Sequence, residues 1–346
     1  MSTPATTERG EGARSAQAAP PTDNAPHNDI PLALKATLVD DRGVPYREFR
    51  KTLEPRWWRV WLEIGAAYAV IALILAGLIA WDPSWPLALV AVIAGGFAIG
   101  YTIQFLNCFF HEAAHYNIVP GRRRNDVVAN VLMGWLFGSS IALYRQIHWQ
   151  HHRALGTTMD SENSYFDALG VRYLVQGLTG LKLLRTLREH QVTEAKMEER
   201  GRAPEARGRL LWLGIAAVVN LGIVVLLWLL GSPVAALAWV VGVLVVFPFL
   251  ASLRTVLEHR SEEADAHVDY HEVDHGPVNR LFGSGPIANT IGSAGFNRHA
   301  IHHWEPQLSY TRLADVEAYL LHTEVAPLVR ERQTTYAQTF LRLLEL

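Results

Sequence analysis

The sequence predicts an all-α integral membrane protein: four transmembrane helices paired as two hairpins, with a cytoplasmic helical cap that carries three histidine boxes. Three observations predict it. Half of the 346 residues are hydrophobic, and they gather into four runs at about 58–81, 85–108, 210–231 and 233–256. Each run reaches roughly 30–35 Å as a helix, enough to cross a hydrocarbon core. The links within each pair, Trp81-Asp82-Pro83-Ser84-Trp85 and Gly231-Ser232-Pro233, are short and contain helix breakers, which forces hairpin turns. Histidines, finally, cluster beyond the ends of the runs.

The elements follow in order. Residues 1–43 read as an N-terminal tail and approach: about 1–30 is rich in Ala, Thr, Pro and charge with no apolar core, so disorder is expected there rather than a signal peptide or a span. A polar stretch, Val44-Pro45-Tyr46-Arg47-Glu48-Phe49-Arg50-Lys51, leads into the first span. Trp81 and Trp85 suit the interface, where indole keeps one edge wet, and Gly95, Gly96 and Gly100 in the second span allow close helix approach. Lys and Arg concentrate in the N-terminal region, the 109–209 loop and the C-terminal region, and neither hairpin turn has any. The positive-inside bias therefore puts both termini and the central loop in the cytoplasm, with every histidine box on one membrane face.

Within the central loop, Asp126–Tyr144 is apolar but short and broken by Asn130, Gly134 and Gly138. A full crossing there would separate the first two boxes, so it reads as re-entrant or packed against the spans. Residues 171–190 have Val171, Leu174, Val175, Leu178, Leu181 and Leu184 at helical spacing beside Arg172, Lys182, Arg185 and Arg188, a basic amphipathic helix for the interface. Residues 193–209 form a charged link to the third span, and 326–346 a C-terminal helix.

Composition sets bounds. Cys108 is the only cysteine, which excludes a disulfide framework, an iron–sulfur cluster or a Cys-based zinc site and leaves a small buried residue. The net charge of −2 gives no reason to expect a nucleic-acid partner.

The chemistry lies in the boxes His111-Glu-Ala-Ala-His115, His148-Trp-Gln-His151-His152 and His299-Ala-Ile-His302-His303, which hold eight of the 15 histidines. Positions i, i+3 and i+4 share a helix face, so each box can aim its imidazoles at one point. Neutral imidazoles without thiolates suit iron, copper, zinc or nickel, and eight ligands are too many for one ion. The number points to a dinuclear centre, with iron as the redox metal for oxygen activation in a membrane.

In order and placement, the boxes resemble those of the membrane fatty acid desaturase family over about residues 44–325. Arg123-Arg124-Asn125-Asp126, Met159-Asp160-Ser161-Glu162, Arg254-Thr-Val-Leu-Glu258-His259, Asn297-Arg-His299 and Trp304-Glu305-Pro306 match as well. The resemblance implies two non-haem irons, O2 as oxidant, a lipid acyl substrate, and a separate electron donor of ferredoxin or cytochrome b5 type. It also implies His259 as a ninth ligand, with Thr255 where some members have a companion asparagine. A multi-pass place in a bacterial inner (plasma) membrane is expected. Glu112, Asp160 and Glu258 are candidates to hold imidazole N–H groups.

Other readings exist. The first box is a literal HExxH, the zinc protease pattern, with Glu112 as general base. That leaves six histidines of the other boxes unexplained and finds no acidic ligand in the third and fourth spans before Glu258. A hydroxylase or ketolase acting on a carotenoid, sphingoid, other lipid or small molecule would use the same boxes, and a non-catalytic metal-binding membrane protein would need neither oxygen nor electrons. His267, His271 and His275 lie four apart in the acidic stretch 258–279, where they would share a helix face, although a solvated acidic surface is the expected state.

Overall fold

The computed structural model describes residues 30–81, 83–199 and 206–345. The fold is all-helical apart from one two-residue strand pair. Helix α1 (Tyr46–Lys51) leads into four helices long and apolar enough to cross a membrane among the described residues: α2 (Trp57–Ala80), α3 (Leu87–Ala114), α8 (Ala206–Leu229) and α9 (Pro233–His259). Between the hairpins lie α4 (Arg122–Phe137), α5 (Ile141–Ala154), α6 (Val171–Leu178) and α7 (Leu181–Glu199). The C-terminal part of the cap comprises α10 (Pro286–Ile291), α11 (His299–Trp304), α12 (Leu313–Leu320), α13 (Ala326–Glu331) and α14 (Tyr336–Leu343).

The second and fourth spans continue beyond the bounds expected from hydropathy, which matters for the site. At 28 residues, α3 is about 42 Å long against a hydrocarbon core of about 30 Å. That excess gives room for its last turns, which contain His111, to extend past the apolar slab. The helix ends at His115, and Tyr116 follows in the left-handed region (φ 64°). Arg145 supplies the cap: it donates to the carbonyls of Ala114 (2.8 Å) and Ala113 (3.1 Å) and pairs with Asp126 at 2.5 Å. A cation at a helix C-terminus satisfies the orphan carbonyls and the dipole together.

The expected role of the glycines in α3 is met against two partners. A Cβ on Gly96 would lie 2.7 Å from Val241, and one on Gly100 2.5 Å from Val246, so α3 and α9 approach almost backbone to backbone there. Gly95 instead faces Leu78 of α2. Between Val241 and Pro248, α9 widens into a π turn (Gly242–Val246). Pro248 offers no N–H and crowds the preceding turn, and the wider turn makes room for it. Helix α8 is outermost, with Leu210, Val218 and Leu229 each more than 70% exposed, as a lipid-facing helix requires.

Helices α4 and α5 meet at 82°. Gly138 ends α4 with φ 64°, and the Ser140 side chain caps α5 by accepting from Leu143 N (3.2 Å). His115, before this bent pair, and His148, on its second helix, meet in one site, which fits the re-entrant reading.

Several expectations need correction. The helix expected over 171–190 is two helices, α6 and α7, broken at Thr179-Gly180, where Gly180 has φ 77°. Lys182 is not on a wet face but fully buried, paired with Asp167 at 2.8 Å and set 4.6 Å over the Tyr173 ring. The charged link over 193–209 is helical as far as Glu199. The single C-terminal helix expected for 326–346 is α13 and α14, separated where Thr334 N bonds Leu281 O and Thr335 caps α14, followed by strand β2 (Leu344–Glu345). That strand pairs in parallel with β1 (Leu169–Gly170) and ties the C-terminal segment to the cap. Residues 30–43, grouped with the tail, pack on the cap: Leu38 is buried, and Lys35 bonds Trp304 O. The disorder expected over 1–29 lies outside the described residues.

Candidate metal centre

The nine histidines expected as ligands all come together, in two groups that could each hold a metal ion. One is His111, His115, His148, His152 and His302; the other is His151, His259, His299 and His303. The first box aims at a single group, as expected, whereas the second and third divide between the two groups. Helix geometry explains the division. At 100° per residue, i and i+4 lie about 40° apart, whereas i+3 points about 60° to the other side of i. His148 and His152 therefore stay together while His151 crosses to the second group. His299 and His303 stay together while His302 crosses to the first.

The ring nitrogens are spaced as ligands of a common ion. Two imidazoles bound at about 2.1 Å and at right angles put their nitrogens about 3 Å apart. The Nε2–Nε2 distances are 2.8 Å for His115–His148, 2.9 Å for His148–His152 and 3.2 Å for His152–His302. In the second group they are 2.9 Å for His259–His299 and 3.1 Å for His299–His303. Both ring nitrogens of His111 are buried without a hydrogen-bond partner, as is Nδ1 of His259. The groups adjoin, with the His152 and His303 rings 4.4 Å apart. The donor set therefore fits a two-ion centre.

Protonation agrees. Burial, reinforced by neighbouring imidazoles, holds His115, His152, His299, His302 and His303 well below the ordinary histidine range. They are neutral at pH 7, the ligating form. Burial also lowers His148, with Glu162 opposing. At His151 burial is outweighed by Asp160, which raises it. Asp160 contacts His151 Nδ1 at 2.8 Å and Glu162 contacts His148 Nδ1 at 3.0 Å, which draws the proton outward and leaves Nε2 free to ligate. Burial disfavours charge on Glu162, but His148 outweighs it and holds the carboxyl well below the usual range.

Of the three acids expected beside the ligands, Asp160 alone holds an imidazole. Glu112 is 3.9 Å from His111 Nδ1 and 4.0 Å from His302 Nδ1, beyond hydrogen-bond reach, and accepts instead from Tyr310 N at 3.1 Å. Glu258 pairs with Arg254 at 2.5 Å and lies 3.7 Å from His299 Nε2. Sequence reasoning missed Glu162, although it shares the Asp160-Ser161-Glu162 run and its spacing from Asp160 was a usable signal. Thr255 donates to Ala251 O at 3.2 Å. Cys108 is a fully buried core residue.

A cavity of about 280 Å³ opens beside the centre between α3, α4, α5, α7, α8 and α9. Phe110, Phe137, Leu143, Ile147, Leu183, Leu187, Leu213 and Phe247 make it mainly apolar, while Asn107, Glu162, Arg254 and Thr255 give it polar points. Beyond His259, the acidic stretch 258–279 contributes no residue to the two groups among the described residues. It is not helical beyond His259: His267 is exposed, His271 approaches Asp167 (3.9 Å), and His275 is buried.

Four helices able to cross a membrane, with two histidine groups that could each hold a metal ion, fit a membrane enzyme of the oxygenase type. The chain matches the fatty acid desaturase family over residues 83–336 and belongs to it. That membership marks it as an oxidoreductase, and no curated protein matches it.

Proposed function

We propose that the protein is an O2-dependent desaturase that introduces a C=C bond into a fatty acyl chain. Two irons would be held by His111, His115, His148, His152 and His302 on one side and by His151, His259, His299 and His303 on the other. The observation that carries this reading is the division of nine imidazoles, seven buried and two half-buried, into two adjoining groups beside an apolar cavity. No protein acid or base can deprotonate an alkane, and the irons with O2 supply the hydrogen-atom abstraction that the reaction needs. The chain's own residues do the rest. Asp160 and Glu162 fix the orientation of His151 and His148. Phe110, Phe137 and Phe247 exclude water and hold a methylene segment. Residues 44–325 form the catalytic unit.

Electrons come from a separate carrier of ferredoxin or cytochrome b5 type. The chain spans a bacterial inner membrane four times with both termini in the cytoplasm, a reading supported by the basic residues missing from both short hairpin links. A hydroxylase acting on an oxygen-bearing lipid is the second reading. It is favoured by the polar groups of Asn107, Glu162, Arg254 and Thr255 on the cavity wall. Comparing lipids and metabolites of cells with and without the active protein separates the two. New double bonds in acyl chains support the first, new hydroxyl groups the second, and an unchanged profile contradicts both.

A further inference from the structure

A chain of aromatic rings runs from the four-histidine group towards the surface, and metal ligation does not require it. The Tyr165 ring lies 5.2 Å from His259 and 5.1 Å from His275, and His275 lies 4.7 Å from Tyr270. All three residues are buried, and Tyr270 sits beneath an exposed acidic loop, its hydroxyl accepting from Asp265 N at 2.9 Å. Packing alone does not account for them. Both ring nitrogens of His275 are buried without a hydrogen-bond partner, so an apolar ring would fill the space at lower cost. The Tyr165 hydroxyl donates to Asp160, the carboxylate that holds His151. Tyr165 thus has its ring against one ligand and a proton acceptor already in place.

We propose that Tyr165, relayed by His275 and Tyr270, is a redox outlet: when O2 is activated without substrate, it carries the oxidising equivalent away from the histidine ligands. This rests on the di-iron reading. Tyr165 gives one electron to the O2-oxidised centre, which is reduced by one unit, and its phenolic proton to Asp160. Tyr270 then reduces the Tyr165 radical by one electron across the His275 ring, and Asp160 returns the proton. Tyr270 releases its own proton to water. An external one-electron reductant, a thiol or the turnover carrier, restores it. His275 acts through ring contact alone, because burial, with Arg260 and Arg280 nearby, lowers it to about 3 and keeps it neutral.

The test mixes iron-loaded protein of measured metal content with O2 in the absence of lipid, freezes it rapidly, and records electron paramagnetic resonance. Peptide mass spectrometry then locates oxidised residues. The wild type should show a tyrosyl signal that narrows when ring-deuterated tyrosine is incorporated, which identifies it without any variant. Tyr165→Phe should lose the signal and raise oxidation of His259 and His151 several-fold. Tyr270→Phe should prolong it, and Tyr173→Phe, outside the ring chain, should leave it unchanged. Iron-loaded wild type without a tyrosyl signal, or a signal that survives Tyr165→Phe, overturns the inference and leaves the di-iron reading intact. Wild type that takes up no iron overturns both.

Discussion

The metal centre is decided residue by residue, by which nitrogen of each imidazole is free. His148 and His151 donate Nδ1–H hydrogen bonds to Glu162 and Asp160, so their inner nitrogens keep a lone pair. Replacing any of the eight box histidines with Ala should abolish product formation and lower bound iron, read by elemental analysis of purified protein. Glu162→Gln and Asp160→Asn keep the shape but lose the proton acceptor, and each should weaken metal affinity by roughly 10–100-fold. Isothermal titration with ferrous iron measures that loss, and unchanged affinity in both would contradict the assigned tautomers. The nine histidines were legible in the sequence from spacing and resemblance. Their allocation was not, because it depends on how α5 and α11 are rotated towards each other, and no local spacing records that.

Elements bring the ligands together. His111 and His259 sit on the last turns of α3 and α9, and these helices pack against each other through Gly96 and Gly100. Gly100→Ala would drive a methyl into Val246 and the Gly242 carbonyl. Overpacking of this kind costs about 1–3 kcal/mol. Thermal melting should show the lost stability, and iron content should fall because the two ligand-bearing helix ends shift. Four spans could be read from hydropathy and breakers, but the extra turns of α3 and α9 could not, since Arg145 caps α3 from another segment. The break between α6 and α7 escaped for a similar reason: the apolar spacing continues across Gly180, and only the Asp167–Lys182 pair turns Lys182 inward.

That pair gives a pH signature. Burial alone would raise the Asp167 carboxyl, but His271, Lys182 and Arg185 outweigh it and bring it to about 2. The unfolded value is about 3.9, so the folded state is favoured by roughly 2–3 kcal/mol above about pH 4, and this is lost as pH falls towards 2. Asp167→Asn should flatten the acid limb of stability against pH, followed by tryptophan fluorescence in detergent. An unchanged acid limb would show that the Asp167–Lys182 pair is not formed.

At the scale of the whole molecule, the fold is a means of delivering residues from all parts of the chain to one membrane face. Two hairpins return the chain to that face, and the bent α4–α5 pair brings the second box back beside the first. Topology reporters fused after Leu346 and within the 200–205 segment should both report the cytoplasm, and opposite sides would break the common face. The most direct test of the central claim is the metal content of purified, iron-loaded wild-type protein. Nine imidazoles in two groups should hold two irons per chain, falling to one or fewer in His111→Ala and in His299→Ala. A single tightly bound zinc per chain, or iron uptake indifferent to either substitution, would contradict it.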